Sequence, residues 1–257
     1  MMRKEYVVPI DFMEHPVAAR MFLKPQSQKI YWKAVDAIAR MEPYIEVPYI
    51  TNKEWWDIAV SIAFDFPQFF YWRDWNVILV PNDERKKVNR EVNFVYFYNR
   101  ETAQRKMRQI DFVVDEIISK CIRKNMTEKD MIYSIHNYLA HHVTYTKEKD
   151  PKKEQTYPSR SYTLETLLHM NGVCRGVSIS NIYILRRLQI ECAGVESQNH
   201  AWNIFKLRTG EILFSDTTWD INHKDKFKYY LLSEEEMSRF ESHKLAERYP
   251  KRIVSIK

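Results

Sequence analysis

The C-terminal half of this 257-residue chain holds three residues that together could run acyl chemistry: Cys174, His200 and Asp216. A thiolate attacks a carbonyl carbon, an imidazole carries the proton, and a carboxylate holds the other ring nitrogen and fixes its tautomer. Taken singly, each residue has an ordinary explanation. A free cysteine is most often a small hydrophobe, a histidine a satisfied packing residue, and an aspartate a turn or cap. What singles out Cys174 is its frame, Gly172-Val-Cys174-Arg-Gly176. The chain has only four glycines, and all of them fall between positions 172 and 210. Glycine is needed where the backbone takes special conformations or where something approaches it closely.

The elements that would position these residues follow from local pattern. Residues 174–189 read as a helix, with Ile179, Ile182 and Tyr183 on one face. Cys174 then lies in the first turn, where unpaired backbone N–H groups and the helix dipole favour the thiolate and could hold an oxyanion. Residues 200–207 and 211–218 read as two strands joined by Arg208-Thr-Gly210. A three-residue loop with its glycine in the left-handed region pairs Leu207 with Glu211. Counting back, Trp202 falls opposite Asp216 and His200 opposite Thr218. His200 and Asp216 become diagonal neighbours on one face, roughly 7–8 Å apart at Cα. A two-residue loop would put them on opposite faces.

Upstream, residues 26–41 show helical spacing of Ile30, Ala34, Ile38 and Met41, and Thr51 to Glu54 forms a capping box opening a helix to about Phe64. Residues 76–80 and 91–97 read as a hairpin around a charged loop. Thr102 to Lys124 is a long amphipathic helix, striped by Met107, Ile110, Val114, Ile117 and Cys121. Thr127 caps a helix to about Ala140 that holds His136 as a packed core residue. His141 and His142 end that helix, where imidazolium suits the dipole. Residues 147–160 read as a charged, mobile loop, 163–170 as a short helix and 233–247 as a last helix. The layout is a helical N-terminal half leading into an α+β C-terminal half.

Composition narrows the function classes. The chain is 45% hydrophobic, 29% charged and 14% aromatic, which suits a folded core. Its formal charge is +6, but the basic residues are interspersed with acidic ones. The densest basic run, Arg85 to Arg90, is expected to be a solvated loop, and no nucleic-acid-binding pattern occurs. Three cysteines, Cys121, Cys174 and Cys192, do not make a disulfide framework. The first fifteen residues lack the apolar core of a signal peptide, and no run approaches a membrane span, so a cytoplasmic protein with a free thiol and no membrane partner is expected. The spacing of Cys174, Cys192 and His200 matches no compact zinc pair, so no metal is expected. No acidic loop of EF-hand type occurs.

At these residues the sequence resembles the transglutaminase-like superfamily, within the papain-like fold. The matching segments are Gly172-Val-Cys174-Arg-Gly176, then His200-Ala-Trp202-Asn203, then Asp216-Thr-Thr-Trp219-Asp220, preceded by Ile135-His-Asn-Tyr-Leu139 and Val143-Thr-Tyr145. Where the family often has an aromatic residue after the second glycine, this chain has Val177. The resemblance implies a core in which a Cys-bearing helix packs on an antiparallel sheet, over 126–257. A mainly helical extension, with the hairpin near 76–97, would occupy 1–125, as in bacterial members. It implies Cys174 as nucleophile, His200 as general base and acid, and Asp216 as orienting carboxylate. Trp202 and Trp219 would wall the site, and Tyr162 would assist the oxyanion. The reaction expected is thiol-dependent hydrolysis or acyl transfer on a peptide or protein amide, of cysteine protease, deamidase or transglutaminase type, without a cofactor. The alternative is a non-catalytic protein-binding module that keeps the fold. Acetyl transfer from a thioester donor ranks last, because no donor signature occurs. Substrate, acceptor and oligomeric state are not set by these motifs.

Overall fold

A computed structural model describes residues 5–9, 18–48, 50–79, 90–146, 159–245 and 249. The basic run at 83–89, residues 147–158 of the charged loop and the end of the expected last helix lie outside these residues. The chain is mixed α and β with antiparallel sheets, as the motifs implied.

Helix α1 (Pro25–Ala39) starts with proline at its first position, where a missing N–H costs nothing. Helix α2 (Asn52–Asp65) opens on the Thr51/Glu54 capping box, with both reciprocal hydrogen bonds present. A three-stranded antiparallel sheet is built from strands on both sides of α2 in the chain. Strand β1 (Tyr44–Val47), enclosed by Pro43 and Pro48, was not recognised in the sequence because four residues give too short an alternation. It pairs with β3 (Arg90–Tyr96), which also pairs with β2 (Trp72–Leu79), so the expected hairpin is present and β2 begins four residues early. Helix α3 (Arg100–Cys121) buries Met107, Ile110, Val114 and Ile117 of the expected stripe and Ala103 besides, while Cys121 at its end is only partly buried. Helix α4 (Glu128–His142) starts on a second capping box, Thr127 with Asp130.

In the C-terminal half, β4 (Thr144–Tyr145) and β5 (Asn171–Gly172) form a short parallel pair on either side of α5 (Thr166–His169). Helix α6 (Cys174–Arg187) is the central element, packed on α2, α4 and the first two strands of a second antiparallel sheet. That sheet has the order β6 (Glu191–Glu196), β7 (Ala201–Lys206), β8 (Ile212–Ser215). Two expectations are corrected here. The second strand of the hairpin ends at Ser215, and Thr217–Asn222 turns into helix α7 because the Asp216 side chain caps the Trp219 N–H. The helix expected over 233–247 is interrupted. Helix α8 spans only Glu234–Ser238, Phe240 is extended, and a 3₁₀ turn follows at Glu241–His243.

One apolar cluster runs through both halves, from Val7 and Ile30 through Trp55, Phe64 and Ile110 to Ile182, Cys192 and Phe205. No helix among the described residues is long and apolar enough to cross a membrane.

Candidate active site

Cys174 is the first residue of α6, and the residue before it is Val173, whose apolar side chain caps nothing. The N–H groups of the first turn therefore have no side-chain acceptor from the N-cap position, which leaves them directed at the sulfur's surroundings. Val173 N–H donates to the Ser161 carbonyl at 2.9 Å, and the helix start is pressed against that segment. A Cβ on Gly176 would lie 2.2 Å from the Ser161 oxygen and 2.3 Å from Thr166 Oγ1, so the second glycine of the frame is required by close approach.

The hairpin has the register read from the sequence. Phe205 faces Leu213, Asn203 faces Ser215, and Leu207 N–H donates to Glu211 at 2.9 Å. Gly210 adopts φ +88°, the left-handed region that the loop length demands. The ladder stops before His200 and Asp216, and the two side chains meet just beyond its end. His200 Nε2 lies 2.5 Å from Asp216 Oδ2, which leaves Nδ1 as the ring atom for the thiol. The His200 imidazole also interacts with Cys174. Asp216 is fully buried and held at every polar atom: its N–H donates to the Tyr229 carbonyl at 2.8 Å, and Oδ1 accepts the Trp219 N–H at 3.1 Å.

Helix and strand are stitched together at a residue of the second motif. Asn203 Nδ2 donates to the Ser178 carbonyl (3.0 Å) and hydroxyl (2.9 Å), and Ser178 Oγ donates to the Trp202 carbonyl at 3.0 Å. This buried network holds α6, which starts at Cys174, beside β7, which starts next to His200.

Electrostatics set the charge states. Burial opposes a charged His200 ring, but the Asp216 carboxylate beside it, their hydrogen bond and Cys174 outweigh burial and raise the imidazole to about 10. Burial likewise favours a neutral Asp216, yet His200 and then His243 bring it down to about 2. Both shifts favour the charged pair, an imidazolium held against an ionised carboxylate.

The aromatic candidates divide. Trp202 is buried and stacks on the His200 ring at 5.9 Å, so it backs the imidazole. Trp219 lies 5.7 Å from His200 on another side and lines an open cavity of about 420 Å³ with His200, Tyr145, Thr218, Asn222, His223 and Tyr229. Tyr162 lines a separate apolar pocket of about 90 Å³ that includes Arg175, Phe70 and Ile179. His136 is buried as expected. It bonds Asp220 Oδ2 at 2.9 Å and Thr217 Oγ1 at 3.0 Å, tying α4 to α7.

Sequence reading missed His243. Its Nε2 lies 2.8 Å from the same Asp216 oxygen that His200 contacts. Nothing in Glu-Ser-His-Lys marks it, since the contact is made across the fold. Among the described residues, His200, Asp216 and His243 offer ligand-type atoms within 4.8 Å of one another, but direct imidazole–carboxylate hydrogen bonds take up those atoms.

Compared with known proteins, residues 115–219 match the family model of the transglutaminase-like superfamily. A crystal structure of a TGase is similar at 16% identity, with a TM-score of 0.37, over 69% of this chain and 51% of that one. The chain thus matches about half the length of that relative. No curated protein matches the chain.

Proposed function

Starting from a transglutaminase-like domain over residues 115–219, we propose that this chain is a thiol-dependent enzyme acting on a peptide or protein amide. Cys174 is the nucleophile, His200 the proton carrier and Asp216 the orienting carboxylate. The observation that carries the reading is the His200 ring, hydrogen-bonded at Nε2 to a buried carboxylate, just before the strand that the Asn203–Ser178 bonds tie to the helix beginning at Cys174.

The chemistry follows from the charge states. The Cys174 thiolate attacks the amide carbon, and the carbonyl electron pair moves onto oxygen, opposite the N–H groups at the start of α6. The His200 imidazolium gives its proton to the departing nitrogen, the C–N bond breaks, and a thioester remains on Cys174 with ammonia or an amine released. An acceptor then loses a proton to His200 and attacks the thioester, which restores the thiolate. Water as acceptor gives hydrolysis or deamidation, and an amine gives cross-linking.

The test is incubation of the intact chain with glutamine-containing peptides, with and without a primary amine, reading ammonia release and amine incorporation. Wild type is expected to release ammonia and Cys174→Ala to lose that activity by at least about a thousandfold, the scale of removing a nucleophile. If Cys174 also fails to react with a chloroacetamide probe under reducing conditions at neutral pH, the catalytic reading fails and the non-catalytic binding module stands in its place.

A further inference from the structure

Asp216 Oδ2 is shared by two imidazoles, and only one of them belongs to the proposed triad. We propose that His243 is a positioning residue for the reaction: by donating Nε2–H to Asp216 it fixes the carboxylate that orients His200, so the C-terminal segment completes the site. This rests on the catalytic reading above.

Four observations carry it. First, the donor direction is forced. Asp216 is ionised and has no hydrogen to give, so His243 Nε2 must carry the proton in their 2.8 Å contact. Second, the other ring nitrogen lies 3.1 Å from Ser242 Oγ, whose hydroxyl can donate to it and so select the Nε2–H tautomer. Third, the ring is buried among aromatic rings, with edge-on contacts to Trp219 at 4.7 Å, Trp202 at 4.9 Å and Phe240 at 5.7 Å and a stacked Tyr229 at 5.8 Å. Fourth, the interruption of the C-terminal helix is what delivers it. The extended Phe240 packs on Tyr229 and Trp219, and the 3₁₀ turn then carries His243 inward. A continuous helix would not make that turn.

The consequence is mechanical and electrostatic. With His200 and the Trp219 N–H alone, Asp216 would have one donor on each oxygen. Asp216 is pinned instead, with the Trp219 N–H on Oδ1 and two imidazoles on Oδ2. The second donor also stabilises the negative charge, so that Asp216 stays ionised while His200 gains and loses its proton. The ionisable groups that meet here are Cys174 from α6, His200 from the start of β7, Asp216 at the head of α7, Tyr229 from the following loop and His243. The segment bearing His243 lies beyond the matched family region, which ends at 219.

The experiment measures the rate of Cys174 alkylation by chloroacetamide against pH, in the intact chain and without substrate. His243→Phe removes the donor and keeps a ring, whereas His243→Gln keeps an N–H near the Nε2 position. We expect His243→Phe to slow alkylation at neutral pH about tenfold and to move the acid limb of the profile upward, because the imidazolium that sustains the thiolate is less well held. His243→Gln should recover most of that loss. On a peptide amide, kcat should fall with KM little changed. A folded His243→Phe protein with the wild-type alkylation profile overturns the proposal, since a merely structural role would lower thermal stability alone. Should His243→Phe fail to fold, ¹⁵N-histidine NMR of the wild type decides. Two strongly downfield Nε2–H protons, from His200 and His243, support it, and finding only one overturns it. If wild-type Cys174 is itself inert to chloroacetamide, it is the catalytic reading that has failed, while the NMR count still tests the shared carboxylate.

Discussion

A buried ionised carboxylate must be held by donors, and a buried thiol without a charged partner is discouraged from ionising. The three cysteines of this chain fall on different sides of that rule. Cys192 is fully buried and its thiol is pushed up to about 12, and burial raises Cys121 as well, while Cys174 is partly exposed at the start of α6. Alkylation followed by peptide mass mapping at pH 7 should therefore modify Cys174 first, Cys121 more slowly and Cys192 only after denaturation. The elevated His200 has a thermodynamic counterpart. The folded state binds its proton more tightly than the unfolded chain does, so the ring adds stability that is complete below about pH 6.5 and lost as pH rises through about 10. Urea melts of wild type should weaken over that window, and those of His200→Gln should weaken less. Cys174 is itself one of the groups raising His200, so Cys174→Ala should let the imidazole titrate at lower pH, which NMR can read.

At the level of elements, the site depends on how α6, the β7–β8 hairpin and α7 are joined. Gly176 lets α6 lie against the Ser161 segment, and a methyl group there would meet backbone, which cannot swing aside. Gly176→Ala should cost about 1–3 kcal/mol, as overpacking does, with a loss of Cys174 reactivity. Gly210 has open space around it but a positive φ, so its substitution strains the backbone without a clash. Gly210→Ala should cost about 1–2 kcal/mol and Gly210→Asn less, since asparagine tolerates that region. Thermal unfolding measures both. The Asn203–Ser178 stitch is a different kind of joint. Asn203→Ala removes two buried hydrogen bonds between the elements, at about 1–3 kcal/mol, and loosens Cys174's helix from His200's strand. It should reduce alkylation of Cys174 by more than an equally destabilising change remote from the site.

Across the whole molecule, the N-terminal helices are part of the support for the site. Phe64 from α2 lies against Gly194 of β6, Arg186 of α6 donates to the Asp65 carbonyl at 2.7 Å, and Tyr183 of α6 donates to Asp111 of α3 at 2.6 Å. Phe64→Ala should cost about 3–5 kcal/mol and lower thermal stability as seen by probes in either half. The sequence by itself determined the parts that local physics settles: the capping box at Thr51, the cap at Thr127, most of the stripe of α3, the glycine frame of Cys174 and the three-residue loop that sets the hairpin register. Each depends on neighbours within a few residues, so spacing and residue type suffice. Tertiary structure alone decided that β8 gives way to α7 at Asp216, that the C-terminal helix breaks at Phe240, and that His243 reaches Asp216. Those outcomes follow from which buried donors and aromatic faces compete for one carboxylate. The donors come from the start of β7, the first turn of α7 and the C-terminal turn, and only the folded chain brings them within hydrogen-bond distance of Asp216.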